Sequence, residues 1–330
     1  MRAAYINENP NIIDNVYSPA TKARLSQILD FHDGVYTSKE LSKISDVECL
    51  FSTWGVPRLT EEQIKEQIPS LKVLFYGAGS VQDFARPFLN CGVKVISAWM
   101  ANSVPVIEYT VAQIILANTG FYQANRRAVS PDGREDARLY GLTFPGNYDT
   151  AVGLIGLGAI GAGVAEMLKA YKLDVYAYDP FASKEKCDAL GVTPVSLEEL
   201  FSTCQTISNH TANLPETVGM LNGKYFSLMK DNATFINTGR GAQVVEADLI
   251  AALREKPDRT AVLDVTLPEP PEADSPFYSM PNVYLTPHIA GSKGNECMRM
   301  GQYMLEEAER YINGDALKYS VTFKMLETMA

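Results

Sequence analysis

The stretch Ala151-Val152-Gly153-Leu154-Ile155-Gly156-Leu157-Gly158-Ala159-Ile160-Gly161 decides the fold. A short apolar run enters it, and three glycines follow in G-x-G-x-x-G spacing. Apolar residues at Val164, Met167, Leu168 and Tyr171 then repeat at helical intervals. A second run, Leu173 to Tyr178, ends on Asp179. Strand, glycine turn, helix, strand and terminal acid are the parts of a βαβ dinucleotide-binding unit. Gly156 allows the tight turn, Gly158 lets a pyrophosphate reach the backbone, and Gly161 lets helix and strand pack closely. Free N–H groups at the helix start, around Ala159 and Ile160, favour phosphate charge. Asp179 can accept from both ribose hydroxyls and repels a 2′-phosphate. The expected cofactor is therefore NAD rather than NADP, with Lys184 and Lys186 as the opposing signal.

Outward from this unit the chain alternates strands and helices. On the N-terminal side, strands are expected at 2–6, 47–52, 73–76 and 93–97, with helices at 20–29, 60–67 and 81–89. Thr60-Glu61-Glu62-Gln63 is a capping-box pattern. A long helix is expected from about Val104. The breakers Pro131, Gly133, Gly141, Pro145 and Gly146 then predict an irregular connection. On the C-terminal side, strands are expected at 174–178, 205–209, 233–236, 260–264 and 283–285, and a last helix from Asn295 to Ile312. The pattern predicts an α/β protein with two parallel-sheet domains.

Composition narrows the function classes. At 330 residues the chain has room for about two domains. With 29 basic against 39 acidic residues and a net charge of −10, neither nucleic acid nor an anionic membrane is an expected partner. Five cysteines without a CxxC pair point to a reducing compartment, so a soluble cytoplasmic protein is expected. His32, His210 and His288 lie far apart in sequence, and no metal site is expected. The N-terminus has no signal-peptide core, and no appended regulatory domain is expected after the final helix.

Three further segments each follow an expected strand of the nucleotide domain: Asn237-Thr238-Gly239-Arg240-Gly241, Asp264-Val265-Thr266-Leu267-Pro268-Glu269-Pro270 and Pro287-His288-Ile289-Ala290-Gly291. Strand C-termini of an open parallel sheet face the ligand crevice, so Arg240, Glu269 and His288 can converge. Taken singly, each could be an ordinary turn residue. In this order behind the glycine fingerprint, the chain resembles the D-isomer-specific 2-hydroxyacid dehydrogenase family. Ala101-Asn102 and Val106-Ile107-Glu108 resemble that family's interdomain helix.

The resemblance implies a Rossmann coenzyme domain at 103–292 and a discontinuous, flavodoxin-like substrate domain at 1–102 and 293–330. It implies NAD-dependent interconversion of a 2-keto acid and a D-2-hydroxy acid by a homodimer. His288 would be the general acid, Glu269 its orienting partner, and Arg240 the anchor for the substrate carboxylate or carbonyl. Asp264, Thr238, Gly239 and His210 would line the cofactor site. The Gly77-Ala78-Gly79 loop reads alone as a tight turn or a small-anion cradle. By resemblance, Ala78, Gly79 and Ser80 grip the substrate carboxylate through backbone N–H groups.

Two positions depart from the family. Gly79-Ser80-Val81-Gln82-Asp83-Phe84 stands where Gly-x-Asp-Asn-Ile-Asp is usual, and Ala212 stands where a proline follows the histidine. Trp54, on the loop ending at Arg58, is the candidate for the substrate's side-group pocket. The Leu263–Pro270 segment favours a glyoxylate- or hydroxypyruvate-type substrate. Phosphoglycerate-type activity and a non-catalytic NAD(H)-sensing protein on the same fold are the alternatives.

Overall fold

The computed structural model describes residues 1–327. In chain order its strands are β1 (Arg2–Ile6), β2 (Asp30–Tyr36), β3 (Cys49–Ser52), β4 (Val73–Tyr76), β5 (Lys94–Ser97), β6 (Tyr148–Ile155), β7 (Lys172–Tyr178), β8 (Thr193–Pro194), β9 (Thr206–Asn209), β10 (Thr234–Asn237), β11 (Thr260–Leu263), β12 (Val283–Leu285) and β13 (Ser320–Val321). They form two sheets in two compact units. Unit 1 comprises Met1–Ser103 and the chain from Ser292 onward, and unit 2 is Val104–Gly291.

The sheet of unit 1 runs β13-β5-β4-β3-β1-β2, parallel throughout except for the antiparallel edge strand β13. Its five parallel strands have the flavodoxin-like order, in which the winding direction reverses between β1 and β3. The central strands β3 and β4 are buried at every position, as both faces of a helix-covered parallel sheet require. The last helix, Asn295–Asn313, returns to this unit and places Met300, Met304, Leu305 and Ala308 in its core. Thr60 and Gln63 form the expected capping box.

Unit 2 has the order β12-β11-β10-β9-β6-β7-β8, all parallel, which is the Rossmann arrangement with one added strand. Two apolar clusters sandwich the sheet. The helix Trp99–Asn118 starts five residues before the expected Val104 and is long and apolar enough to cross a membrane. Its Val111, Ile114 and Ala117 are nonetheless buried in the core of unit 2.

The structure corrects two expectations here. The stretch around Pro131 to Gly146 is not irregular throughout, because Gly133–Gly141 is a helix. Pro131 precedes it and the two glycines stand at its first and last positions, so the breakers bound the helix instead of interrupting it. The expected helix 81–89 is also shorter, at Ala85–Asn90.

Candidate active site

The glycine turn of unit 2 has the geometry its spacing predicts. Gly156 has φ +86, and its N–H donates to Tyr178 O. A Cβ on Gly161 would overlap the Gly156 carbonyl oxygen, which is the close helix–strand approach that only glycine permits. A Cβ on Gly158 would meet nothing within 4 Å, so the face above it is open. The helix Ala159–Leu168 begins there, capped by Gly158. Its first-turn N–H groups, at 159–161, lack intrahelical acceptors, as at any helix start. Asp179 directly follows β7 and accepts from Leu157 N at 2.7 Å and Phe181 N at 2.8 Å. Both carboxylate oxygens keep lone pairs for further donors. Lys184 is paired with Asp188 at 2.7 Å and directed away from this role.

Next to the turn, His210 is almost fully buried, and Thr238 Oγ1 lies 3.5 Å from its Nδ1. Its Nε2 is buried and finds no partner among the described residues. Burial pushes its pKa down to about 3, so the ring is neutral at physiological pH. In place of the family's proline, the loop at Ala212 is held by side chains. Thr217 Oγ1 donates to Ala212 O at 2.7 Å, and Gln243 Nε2 donates to Thr211 O at 3.0 Å. An open glycine face, a neutral buried ring with a spare nitrogen, and a carboxylate at a strand end together fit a dinucleotide.

Arg240 follows β10 on a loop built by a buried amide network. Asn209 Nδ2 donates to Asn237 Oδ1 (3.0 Å) and Gln243 Oε1 (2.9 Å). Gly239 N donates to Asn237 Oδ1, and Arg240 N to Gln243 Oε1. Arg240 Nη1 donates to Gly239 O at 2.8 Å, which leaves most of its fork unspent. Burial lowers its pKa from the usual value, and the nearby Glu269 carboxylate counteracts this. Gly241 is pressed against the next loop, since a Cβ there would overlap the backbone of Thr266 and Leu267. The Arg240 and Glu269 loops therefore meet backbone to backbone.

Glu269 Oε1 lies 2.6 Å from His288 Nδ1. A carboxylate only accepts, so Nδ1 carries the proton of that bond and Nε2 is left to exchange a proton with a ligand. The two side chains are 41% and 46% exposed, open to a small molecule. His288 has φ +54, a left-handed conformation that costs a non-glycine residue roughly 1–2 kcal/mol. Asp264, 2% exposed, holds it there. Its carboxylate accepts from Thr286 Oγ1 (2.6 Å), Ile289 N (2.8 Å) and Ala290 N (2.9 Å), while His288 N donates to Asp264 O (3.0 Å).

Unit 1 carries the remaining residues. Trp54 is half-buried at the apex of a turn after β3, closed by Val56 N to Thr53 O, with Gly55 at φ +87. Asn7, fully buried, donates from Nδ2 to Trp54 O at 2.9 Å and fixes the turn. Arg58 is paired with Asp83 at 2.6 Å. Ala78 and Gly79 are buried and Ser80 exposed. Ser97 Oγ lies 2.9 Å from Ala78 O and 2.7 Å from Gly79 O, which turns those carbonyls inward. Trp99 packs edge-on against Tyr319.

Sequence reasoning missed Asn7, Asn209, Gln243 and Thr286. Their roles come from side-chain hydrogen bonds between distant segments, and no local spacing signals these.

The model of the D-isomer specific 2-hydroxyacid dehydrogenase NAD binding domain matches residues 111–290. The D-3-phosphoglycerate dehydrogenase of Archaeoglobus fulgidus is 32% identical over 236 residues, 72% of this chain and 44% of the relative. That of Methanocaldococcus jannaschii is 30% identical over 285 residues, 86% of this chain and 53% of the relative. The chain thus spans about half the length of the curated relatives it matches. Among solved structures, apo D-mandelate dehydrogenase of Rhodotorula graminis superposes with a TM-score of 0.81 at 20% identity, covering 97% of each chain, a likeness of fold.

Proposed function

Because the chain belongs to the D-isomer specific 2-hydroxyacid dehydrogenase family and its cofactor is NAD, we propose that it interconverts a 2-keto acid and a D-2-hydroxy acid. The observation that carries this reading is the 2.6 Å pair of Glu269 and His288 beside the Arg240 guanidinium. When bound, the coenzyme supplies the hydride. Protonated His288 gives its Nε2 proton to the carbonyl oxygen during reduction, and neutral His288 takes it back in oxidation. Glu269 orients the ring through Nδ1. Arg240 holds the substrate carboxylate or carbonyl through its planar fork.

On the cofactor side, backbone N–H groups of Gly158, Ala159, Ile160 and Gly161 take the pyrophosphate behind the turn at Gly156. Asp179 takes the ribose hydroxyls, and His210, Thr238, Gly239 and Asp264 border the nicotinamide. Ala78, Gly79 and Ser80 hold the substrate carboxylate, and Trp54 bounds its side group. Unit 1 is thereby the substrate domain and unit 2 the coenzyme domain. A homodimer is part of the same reading, checked by light scattering.

Two substrate types fit this reaction. The Leu263–Pro270 segment favours glyoxylate or hydroxypyruvate, and the names of the relatives above favour a phosphorylated acid. Against the second, the cation on the Trp54 loop, Arg58, is already paired with Asp83. The complete Arg240, Glu269 and His288 set argues against a purely sensory protein. NADH oxidation is to be followed with glyoxylate, hydroxypyruvate, pyruvate, phenylpyruvate, 2-oxoglutarate and phosphohydroxypyruvate. Turnover of one or more is expected, and the preferred acid assigns the substrate type. NADH binding without turnover of any of them would sink the enzymatic reading in favour of the sensor.

A further inference from the structure

Tyr109 lies on the helix Trp99–Asn118, far in sequence from every segment of the site. Its hydroxyl is 3.3 Å from Thr286 Oγ1. The direction of that bond follows from its neighbour. Thr286 has one hydroxyl proton, and Asp264 Oδ1 stands 2.6 Å away as a pure acceptor, so the proton goes there. Thr286 can then only accept from Tyr109, and the phenol must be the donor. Burial raises the Tyr109 pKa above that of an ordinary phenol, in keeping with a phenol that holds its proton and donates it. The chain therefore runs one way, from Tyr109 to Thr286 to Asp264.

Asp264 holds the 286–290 loop at both ends, Thr286 on one side of His288 and the N–H groups of Ile289 and Ala290 on the other. His288 sits in the bight between them, in its left-handed conformation. Its side chain is half in solvent, so little packing fixes the ring. The backbone beneath it and the Glu269 bond do that instead. Of the ties on the loop, the Thr286 hydroxyl is a rotor, which without Tyr109 is free to turn away from the carboxylate.

We propose that Tyr109 is a positioning residue for His288, acting through the Thr286 hydroxyl and the Asp264 carboxylate. The kinetic part of this inference rests on the reaction proposed above, and the spectroscopic part does not.

The test uses the full chain with Tyr109→Phe, Thr286→Val and Thr286→Ser. For the 2-keto acid that the wild type reduces fastest, Tyr109→Phe is expected to lower kcat about tenfold and Thr286→Val about a hundredfold, the scale of a small misplacement of a reacting group. KM and the NADH dissociation constant, read by fluorescence, stay within about twofold. Thr286→Ser keeps the hydroxyl and recovers most of what Thr286→Val loses. Without any substrate, the low-field proton resonance of His288 Nδ1–H against Glu269 is expected to shift or broaden in Tyr109→Phe and Thr286→Val, and to return in Thr286→Ser.

An unmoved resonance with wild-type kcat in Tyr109→Phe overturns the proposal. So does a loss of kcat that comes with equal losses of NADH affinity and thermal stability while the resonance stays in place. If the wild type reduces no keto acid, the proposed reaction fails, and the resonance alone still decides the role of Tyr109.

Discussion

His288 carries its imidazole on a backbone conformation that its own Cβ disfavours, and three donors on one carboxylate keep it there. Replacing His288 by Ala is expected to abolish most turnover while NADH binding stays intact. Arg240→Lys keeps the charge and loses the fork. It should cut kcat/KM for the keto acid by about tenfold or more while leaving NADH affinity nearly unchanged. Equal losses in both would instead place Arg240 in cofactor binding or folding. His210 makes a different prediction. Its pKa is about 3 in the fold and about 6.5 when unfolded, so the unfolded chain binds the extra proton in that window. Stability is therefore full above about pH 6.5 and falls as pH drops towards 3, with a slope of at most about 1.4 kcal/mol per pH unit from this group. Urea unfolding of His210→Asn across pH 4 to 7 should show a shallower decline than wild type. Parallel curves would mean that the ring is not buried in its neutral form.

Between elements, the Arg240 and Glu269 loops join at Gly241, where the loop after β10 touches the loop after β11 without room for a methyl group. Gly241→Ala is expected to push Arg240 away from Glu269. It should destabilise the fold by about 1–3 kcal/mol and lower kcat more than NADH affinity. Unchanged kinetics would show that the loops can part without consequence. This junction was legible in part. The spacing of Asn237 to Gly241 and of Asp264 to Pro270 marks two strand-end loops, but nothing local says that they touch. Strands with strong apolar runs, such as Val73–Tyr76 and Thr260–Leu263, were legible because burial on both faces demands that composition. The strand Asp30–Tyr36 was not. It is an edge strand paired only with β1 and largely unburied, so its residues, DFHDGVY, carry no apolar signal. The helix Gly133–Gly141 was hidden for the opposite reason, since its end signals resemble loop punctuation.

At the scale of the molecule, unit 2 is one continuous stretch of chain with its own cores, whereas unit 1 is assembled from two stretches. A fragment covering 104–291 is expected to fold alone and bind NADH, shown by a cooperative thermal transition that NADH moves upward. A fragment covering 1–103 lacks Met300, Met304, Leu305 and Ala308 and is expected to show no cooperative transition. A cooperative 1–103 fragment would mean that the final helix only decorates unit 1. Gly301 argues otherwise, because a Cβ there would overlap the Val16 backbone, so the helix is seated directly on the N-terminal segment.

That seating has a consequence for the order in which the protein is made. Domains ordinarily fold from the N-terminus as the ribosome delivers them. Here the first five strands leave the ribosome early, but the helix Asn295–Asn313 that completes their core comes only after the whole of unit 2. Unit 2 can close as soon as Gly291 has emerged, while Phe51, Phe75 and the other apolar residues of β3 and β4 wait uncovered. The nascent chain thus matures from unit 2 outwards, and the apolar strands β3 and β4 wait longest for their cover.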